Sequence, residues 1–422
     1  MNESTAATPG FAFAFAPLLI STDMSKVSSR RQTPLSERNQ HAHDPAQAQA
    51  LQRALLAWYA KERRDLPWRR TRDPYAVWLS EIMLQQTRVE TVIPYYERFL
   101  EAFPSVRELA EAPLDGVLAM WSGLGYYRRA RMLHAAAQQV SASGGGFPDT
   151  VTGLRGIAGI GAYTAGAIAS IAFERRAAVV DGNVARVLAR VFAIEEDIRG
   201  GAGLARIWSI ADGLVSDRDP GGWNQALMEL GAMVCVPREP RCPMCPVREQ
   251  CASLARGLTS ELPRLSPKKK PLAIRRVALV AYDAVGAVLL ARRRAAGTFG
   301  GMWEPPSADI PLHAGTAAEE VVAASARFAS LLGVAVRNLE HVGAVVHVLS
   351  HRRMHVDVFV GKVARKLRRP HSPNESADYD AIEWVSDLKT RGVTTLARKI
   401  LAASVTSALD APTSPGSRPA RE

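Results

Sequence analysis

Apolar positions divide the chain into two unlike halves. From about residue 47 to 255 they recur at helical spacing. In VWLSEIMLQQTRVETVI, for example, Trp78, Leu79, Ile82, Met83, Val89 and Ile93 mark one face of a helix. This half is expected to be all-α. The stretch RGLTSELPRLSPKKKP, residues 256–271, breaks the pattern with Pro, Ser and Lys and is predicted to be a linker. Beyond it the period changes to two. RRVALVAYDAVGAVLLARRR predicts two strands around an Asp-Ala-Val-Gly turn, and HRRMHVDVFVGKV predicts another alternating strand. Helical EEVVAASARFASLLG lies between them, so the second domain, 272–407, is expected to be α+β.

The ends carry no such pattern. Residues 1–46 and 408–422, rich in small and polar residues and proline, are expected to be a disordered leader and tail. Met24 is a second candidate start. GFAFAFAPLLI at 10–20 is apolar, but no basic residue precedes it and no small-residue cleavage site clearly follows, which makes it a poor secretory signal. No apolar run reaches the roughly 18 residues of a membrane span. A soluble protein of a reducing compartment is expected. The formal charge of +12 and a pI near 9.8 favour a polyanionic partner.

All four cysteines fall in CVPREPRCPMCPVREQC, as Cys235-x6-Cys242-x2-Cys245-x5-Cys251. Clustered thiols in a reducing compartment are better explained as metal ligands than as bridges. Four thiolates without histidine suit zinc or an iron–sulfur cluster, and ligand softness does not separate the two. The single Cys-x-x-Cys pair, Cys242 and Cys245, tilts the choice slightly toward a cluster.

Two further stretches carry chemistry. LRGIAGIGAYTAGAIASIAF, 154–173, places Gly156, Gly159 and Gly161 in a tight turn before a small-residue helix. Such a turn can offer backbone N–H groups to a phosphate, although a plain turn would use the same glycines. AVVDGNVARVLARV follows, with Asp181 at the start of a helix. As a plain N-cap, or as an ionised group favoured by the helix dipole, Asp181 fits that position. Glu81 lies beside the apolar face of its own helix, where desolvation would raise its pKa.

LSEIMLQQTRVETVIPYYERF, WSGLGYYRRAR, the glycine turn, VVDGNVARVLAR, WNQALMELGAMVC and the four-cysteine loop together resemble the adenine DNA glycosylases of the MutY type. The resemblance spans roughly 50–400. It implies a multidomain protein: an all-α helix-hairpin-helix glycosylase domain with an iron–sulfur cluster loop, then an α+β Nudix-like domain. By the same resemblance Cys235, Cys242, Cys245 and Cys251 would hold a [4Fe-4S] cluster, setting Arg238, Arg241 and Arg248 against the DNA backbone. Glu81 would be the acid that protonates departing adenine. Asp181 would be its ionised partner beside the developing positive sugar, with Tyr163 orienting it. Gly156, Gly159 and Gly161 would bind a DNA phosphate. Arg64, Trp68, Arg69 and Gln225 would line the adenine pocket, with Asn183 of the Asp181 motif in the same substrate-binding set. Gln86 and Tyr126, with Leu124 beside the latter, would fill the gap in the base stack and wedge beside the partner base. Related enzymes that also cut the strand carry a lysine on the hairpin helix. None lies in 154–173, so hydrolysis without an efficient lyase step is expected.

TFGGMWEPP at 298–306 resembles the Nudix fold, but the acidic metal box expected around EEVVAASARFASLLG is largely missing. Pyrophosphate hydrolysis is therefore not expected. In the family this domain recognises 8-oxoguanine, which assigns Ser350 and His351 to lesion contact. Leu349 stands where the family has Phe. The expected partner is double-stranded DNA containing A:8-oxoguanine or A:G mispairs. A monomer without membrane contact is expected, cytoplasmic and nucleoid-associated if the source is bacterial. Two other readings are a glycosylase and lyase for oxidised pyrimidines, and a non-enzymatic, metal-stapled DNA-binding protein.

Overall fold

The computed structural model describes residues 45–267, 270–311, 317–363 and 378–409. The expected tail and nearly all of the expected leader lie outside them, although the first helix begins at Pro45. The first half is helical throughout. In chain order it contains α1 (Pro45–Glu62), α2 (Pro74–Leu84), α3 (Val89–Ala102), α4 (Val106–Glu111), α5 (Leu114–Trp121) and α6 (Arg128–Ala142). Then follow α7 (Val151–Arg155), α8 (Ala162–Ile171), α9 (Gly182–Val191), α10 (Gly201–Leu214), α11 (Pro220–Met233) and the short α12 (Ala252–Ala255). No helix among the described residues is long and apolar enough to cross a membrane.

These helices bury two separate cores. One gathers Trp78, Phe99, Trp121, Leu154 and Ile168 from α2, α3, α5, α7 and α8. The other gathers Leu55, Val187, Leu188, Ile207, Trp223 and Leu230 from α1 and α9–α11. Trp78 and Trp121 are fully buried, and truncating either to Ala should cost about 3–5 kcal/mol. The starts of the helices that matter most are set by short polar caps. Asp73 accepts from the amides of Tyr75 and Ala76 ahead of Pro74, which opens α2. Asp219 caps α11 in the same way, through Gly222 N at 2.7 Å. Gly231 lets α11 touch the first turn of α9, since a Cβ there would stand 2.7 Å from Asn183 Cβ. The two cores thus meet along a cleft with polar walls.

The second half contains β1 (Leu272–Val280), β2 (Val288–Arg293), β3 (Trp303–Glu304), β4 (Ser307–Ile310), α13 (Ala317–Leu332), β5 (Val336–Val348), β6 (Arg352–Val363), β7 (Tyr379–Val385) and α14 (Thr395–Leu409). One sheet has the order β4-β1-β6-β5 and the other β3-β2-β7. Alternation along β1 explains the layering. Ala278 and Val280 face a core shared with Leu396 and Ile400 of α14, while Val277 and Leu279 face Ala324 and Phe328 of α13. The strands predicted around the Asp-Ala-Val-Gly turn do form, and Asp283 N bonds Ala287 O at 2.9 Å. They then part into different sheets, β1 pairing in parallel with β6 and β2 antiparallel with β7.

The expected linker is not a free tether along its first part. Leu262 is buried, Arg190 Nε donates to Leu262 O at 2.8 Å, and Ser266 N donates to Asp197 Oδ2 at 3.1 Å. Apolar anchoring and these bonds hold it to the helical half.

The cysteine segment also departs from expectation. No group of three or more His, Cys, Asp or Glu side chains among the described residues is arranged to hold a metal ion. The expected [4Fe-4S] cluster on Cys235, Cys242, Cys245 and Cys251 is corrected accordingly. The four are free thiols, partly buried around one cavity beside α9. Burial pushes the Cys245 thiol up to about 11 and raises that of Cys251. Arginines secure the loop. Arg186 Nε bonds Cys235 O at 2.8 Å, and Arg190 bonds Val236 O at 2.7 Å and Pro237 O at 3.0 Å.

Candidate active site

The cleft between the helical cores opens into a cavity of about 550 Å³. Its walls include Arg64, Trp68, Arg69, Glu81, Gln86, Tyr163, Asp181, Asn183 and Gln225, positions drawn from five separate parts of the helical half. A volume of this size holds a small organic group with room to spare.

Glu81 sits in α2, a helix whose residues from Tyr75 to Met83 are all buried. It is itself only 5% exposed. Burial pushes its carboxyl up to about 7, opposed by the Tyr163 hydrogen bond and aided by the charge of Asp181. The Tyr163 hydroxyl donates to Glu81 Oε2 at 2.5 Å. Tyr163 lies near Asp181 as well, but its hydroxyl bonds run to Glu81 and, at 3.6 Å, to Met228 Sδ. Burial, with both carboxylates nearby, holds that phenol well above its ordinary range.

Asp181 caps α9, accepting from Val184 N at 2.7 Å. Its other oxygen accepts from Asn183 Nδ2 at 3.0 Å, and Asn183 Oδ1 in turn accepts from Arg186 at 2.9 Å. Asn183 is thus in place to orient Asp181. Burial nevertheless raises the Asp181 carboxyl above its usual value, against the pull of the Val184 amide and Asn183. The expected opposition, one carboxyl raised and the other kept low by the helix dipole, is replaced by two raised carboxyls. Burial outweighs the cap.

Arg64 and Arg69 converge on Glu229, which sequence reasoning missed. Arg64 reaches it through Nε at 3.0 Å and a terminal nitrogen at 2.7 Å, and Arg69 through two nitrogens at 2.9 and 2.8 Å. Burial works to raise Glu229, but the bonds from Arg69 and Arg64 together overcome it and bring the carboxyl down to about 2. The missed signal was spacing. Gln225 and Glu229 stand four apart on α11 and share a face. Gln225 Oε1 accepts from the Tyr59 hydroxyl at 3.3 Å, and Arg69 lies over the Tyr59 ring at 5.4 Å. Trp68 meets Tyr96 edge to face at 5.5 Å.

Apart from Gln86, the remaining candidates lie outside the cavity wall. Gln86 marks its rim, exposed, with φ of +59°. Tyr126 is 46% exposed with φ of +48°, while Leu124 beneath it is buried. Non-glycine residues in this left-handed region are strained and persist only where the surroundings impose the conformation. Here Arg129 imposes it. Its guanidinium bonds Ile82 O, Met83 O and Gln85 O at 2.8, 2.8 and 2.6 Å, Thr87 Oγ1 at 3.0 Å, and Leu124 O and Gly125 O at 3.3 and 3.2 Å. One side chain therefore ties together the loops bearing Gln86 and Tyr126. Gly156, Gly159 and Gly161 form the turn between α7 and α8, exposed, with no side-chain cap on α8. Gly159 needs its freedom, with φ of +79° and Met132 close by. Ser350 and His351 are exposed at the tip of the β5–β6 hairpin, closed by Leu349 N to Arg352 O at 2.8 Å. Leu349 is partly buried against the core beneath α14.

Helices paired through a glycine turn, with a buried acid and a second carboxyl across a cavity, define a class of base-excision enzymes. Residues 79–207 match the HhH-GPD superfamily base excision DNA repair protein family, and residues 276–403 match the NUDIX domain family. The chain is 38% identical over 368 residues to the adenine DNA glycosylase of Rattus norvegicus, covering 75% of this chain and 71% of that one. It is 38% identical over 370 residues to the adenine DNA glycosylase of Homo sapiens, covering 75% and 67%. With that of Arabidopsis thaliana it shares 35% identity over 408 residues, covering 84% and 64%. The chain belongs to the adenine DNA glycosylase family. It is an enzyme of base-excision DNA repair that removes adenine from DNA.

Proposed function

We propose that this chain excises adenine mispaired with 8-oxoguanine or guanine in double-stranded DNA, by base flipping and hydrolysis of the N-glycosidic bond. The observation that carries the reading is Glu81, a buried carboxyl held near pH 7 on the wall of a cavity large enough for an extruded base. Glu81 delivers its proton to the departing adenine. Asp181, steadied by Asn183 and the start of α9, stabilises the positive charge that grows on the sugar. Tyr163 holds the Glu81 carboxyl at a fixed angle.

Arg64 and Arg69, set by Glu229, shape the adenine pocket with Trp68 and Gln225. The glycine turn before α8 takes a DNA phosphate on its amides. Gln86 and Tyr126 enter the base stack as the adenine leaves it, with Leu124 behind Tyr126. Ser350 and His351 meet the altered edge of 8-oxoguanine, where a hydroxyl can both donate and accept. Hydrolysis proceeds without an efficient lyase step, since 154–173 contains no lysine.

Single-turnover excision on otherwise identical duplexes tests this reading. Glu81→Gln and Asp181→Asn should each bind the mispair yet excise at least about a hundredfold more slowly. Excision by either variant at the parent rate overturns the role given to that residue.

A further inference from the structure

The second domain touches the helical half immediately behind Tyr126. Ser122 closes α5, and its hydroxyl donates to Val393 O at 2.5 Å just before α14. Arg398 on α14 donates to the Ser122 hydroxyl oxygen at 3.1 Å. On its other side the Ser122 carbonyl accepts from the Tyr95 hydroxyl at 2.8 Å. The contact is flush as well as polar. A Cβ at Gly392 would lie 2.8 Å from Leu118 Cβ of α5, and Met302 belongs to the helical half's core. Farther along, Arg131 donates to Ala295 O at 2.6 Å.

The same second-domain core supports the hairpin tip at 350–351. Val393, Leu396 and Ala397 pack in one cluster with Met354 and with Leu349, the residue before Ser350. Phe299 joins that cluster and the helical core alike, and its ring stands 6.1 Å from His347 of the hairpin. A continuous run of packed side chains therefore joins the hairpin tip to the loop 122–127.

We propose that the second domain is a positioning device for Tyr126, with Ser122 and Arg398 as its positioning residues. The domain does more than meet the partner base. It braces the Tyr126 loop from behind, so that lesion contact and stack insertion are set from one support. The loop that carries the strained Tyr126 is held by Arg129 at Leu124 O and Gly125 O from within its own domain, and at Ser122 by Val393 and Arg398 from the other. Without the brace the loop keeps its fold but loses its fixed distance to the hairpin. This proposal rests on reading Tyr126 as the stack-entering residue and 350–351 as the lesion contact.

A double-mutant cycle on the full chain tests it. The readout is the ratio of single-turnover excision rates opposite 8-oxoguanine and opposite guanine. Ser122→Ala and Arg398→Ala should each lower the ratio about fivefold, the loss of one anchoring hydrogen bond, and should do nothing further in a Tyr126→Ala background. Thermal melting of each variant separates a repositioned loop from a destabilised domain. Equal effects with and without Tyr126, or no effect in either background, overturn the brace while leaving the role of Tyr126 intact. An unchanged ratio for Tyr126→Ala alone overturns the reading of Tyr126 and the brace with it.

Discussion

Glu81 and Glu304 are both buried glutamates, 5% and 1% exposed, and they are put to opposite uses. Glu304 lies inside the second domain among cations. Arg293 Nε reaches it at 2.8 Å, Arg276 stands at 3.6 Å, and the Tyr379 hydroxyl donates at 2.7 Å. Among the described residues no cation is bonded to Glu81, whose hydrogen-bond partner is a neutral phenol and whose neighbour is another carboxyl, and Arg69 lowers it only as a minor influence. Burial without a bonded counter-charge leaves Glu81 a group that holds a proton near neutral pH, while Glu304 is packed directly against guanidiniums. Of these two, Glu81 is the one that faces the cavity and has no bonded cation among the described residues.

Glu304→Gln should break this contrast on the stability side. Removing the charge that faces Arg293 and Arg276 should cost about 3–5 kcal/mol of unfolding free energy, measured by denaturant titration. Adenine excision by the fraction that remains folded should be little changed.

Glu81→Gln should do the reverse. Excision should fall at least about a hundredfold in single turnover, with no comparable loss of stability. The sign with pH follows from the raised carboxyl. The parent's folded state binds the Glu81 proton up to about pH 7, whereas the unfolded chain releases it in the ordinary carboxylate range. Stability contributed by this group is therefore lost as pH rises between those limits, and the Gln variant should lose that dependence.

Much of this contrast could be anticipated from the chain. Glu81 stood out beside the apolar face of its helix and Asp181 at the start of another, although only the family resemblance brought the two together. The all-α and α+β halves followed from the change of apolar period at 256–271, and the strand at 352–363 and the helix at 317–332 lie where alternation and helical spacing predicted them. Less legible were β5 and β7, half-exposed strands whose burial alternates only loosely. The cation pairing of Glu229 was hidden as well, because Arg64 and Arg69 lie some 160 residues away along the chain. Nor does spacing alone reveal that Tyr163 would serve Glu81, or that burial would outweigh the helix cap at Asp181. In the cysteine segment, spacing and resemblance suggested a cluster, whereas the folded chain secures that segment with Arg186 and Arg190.

Glu229 offers an intermediate case, a compensated glutamate that borders the cavity. Its carboxyl is brought down to about 2, so its stabilising contribution should be present above the ordinary carboxylate range and lost as pH falls toward 2. Glu229→Gln should frustrate Arg64 and Arg69, costing roughly 1–3 kcal/mol and weakening adenine binding more than the rate of the bound complex. Chemical denaturation at pH 7 and pH 3 and a concentration series under single-turnover conditions would separate the two effects. The smallest expected change belongs to Ser350→Ala. Loss of one exposed hydrogen bond to the lesion should lower the preference for 8-oxoguanine over guanine about fivefold, with excision opposite guanine unaltered.

The most direct measurement is the pH dependence of single-turnover excision on a duplex carrying one adenine:8-oxoguanine pair, for the parent and for Glu81→Gln. With Glu81 as the acid, the parent rate should decline tenfold per pH unit above about 7, and decline again in acid as Asp181 takes up a proton. The residual rate of Glu81→Gln should lack the alkaline decline. A parent rate that stays level from pH 7 to 9, or an alkaline decline that persists in Glu81→Gln, would contradict the assignment of the acid to this buried carboxyl.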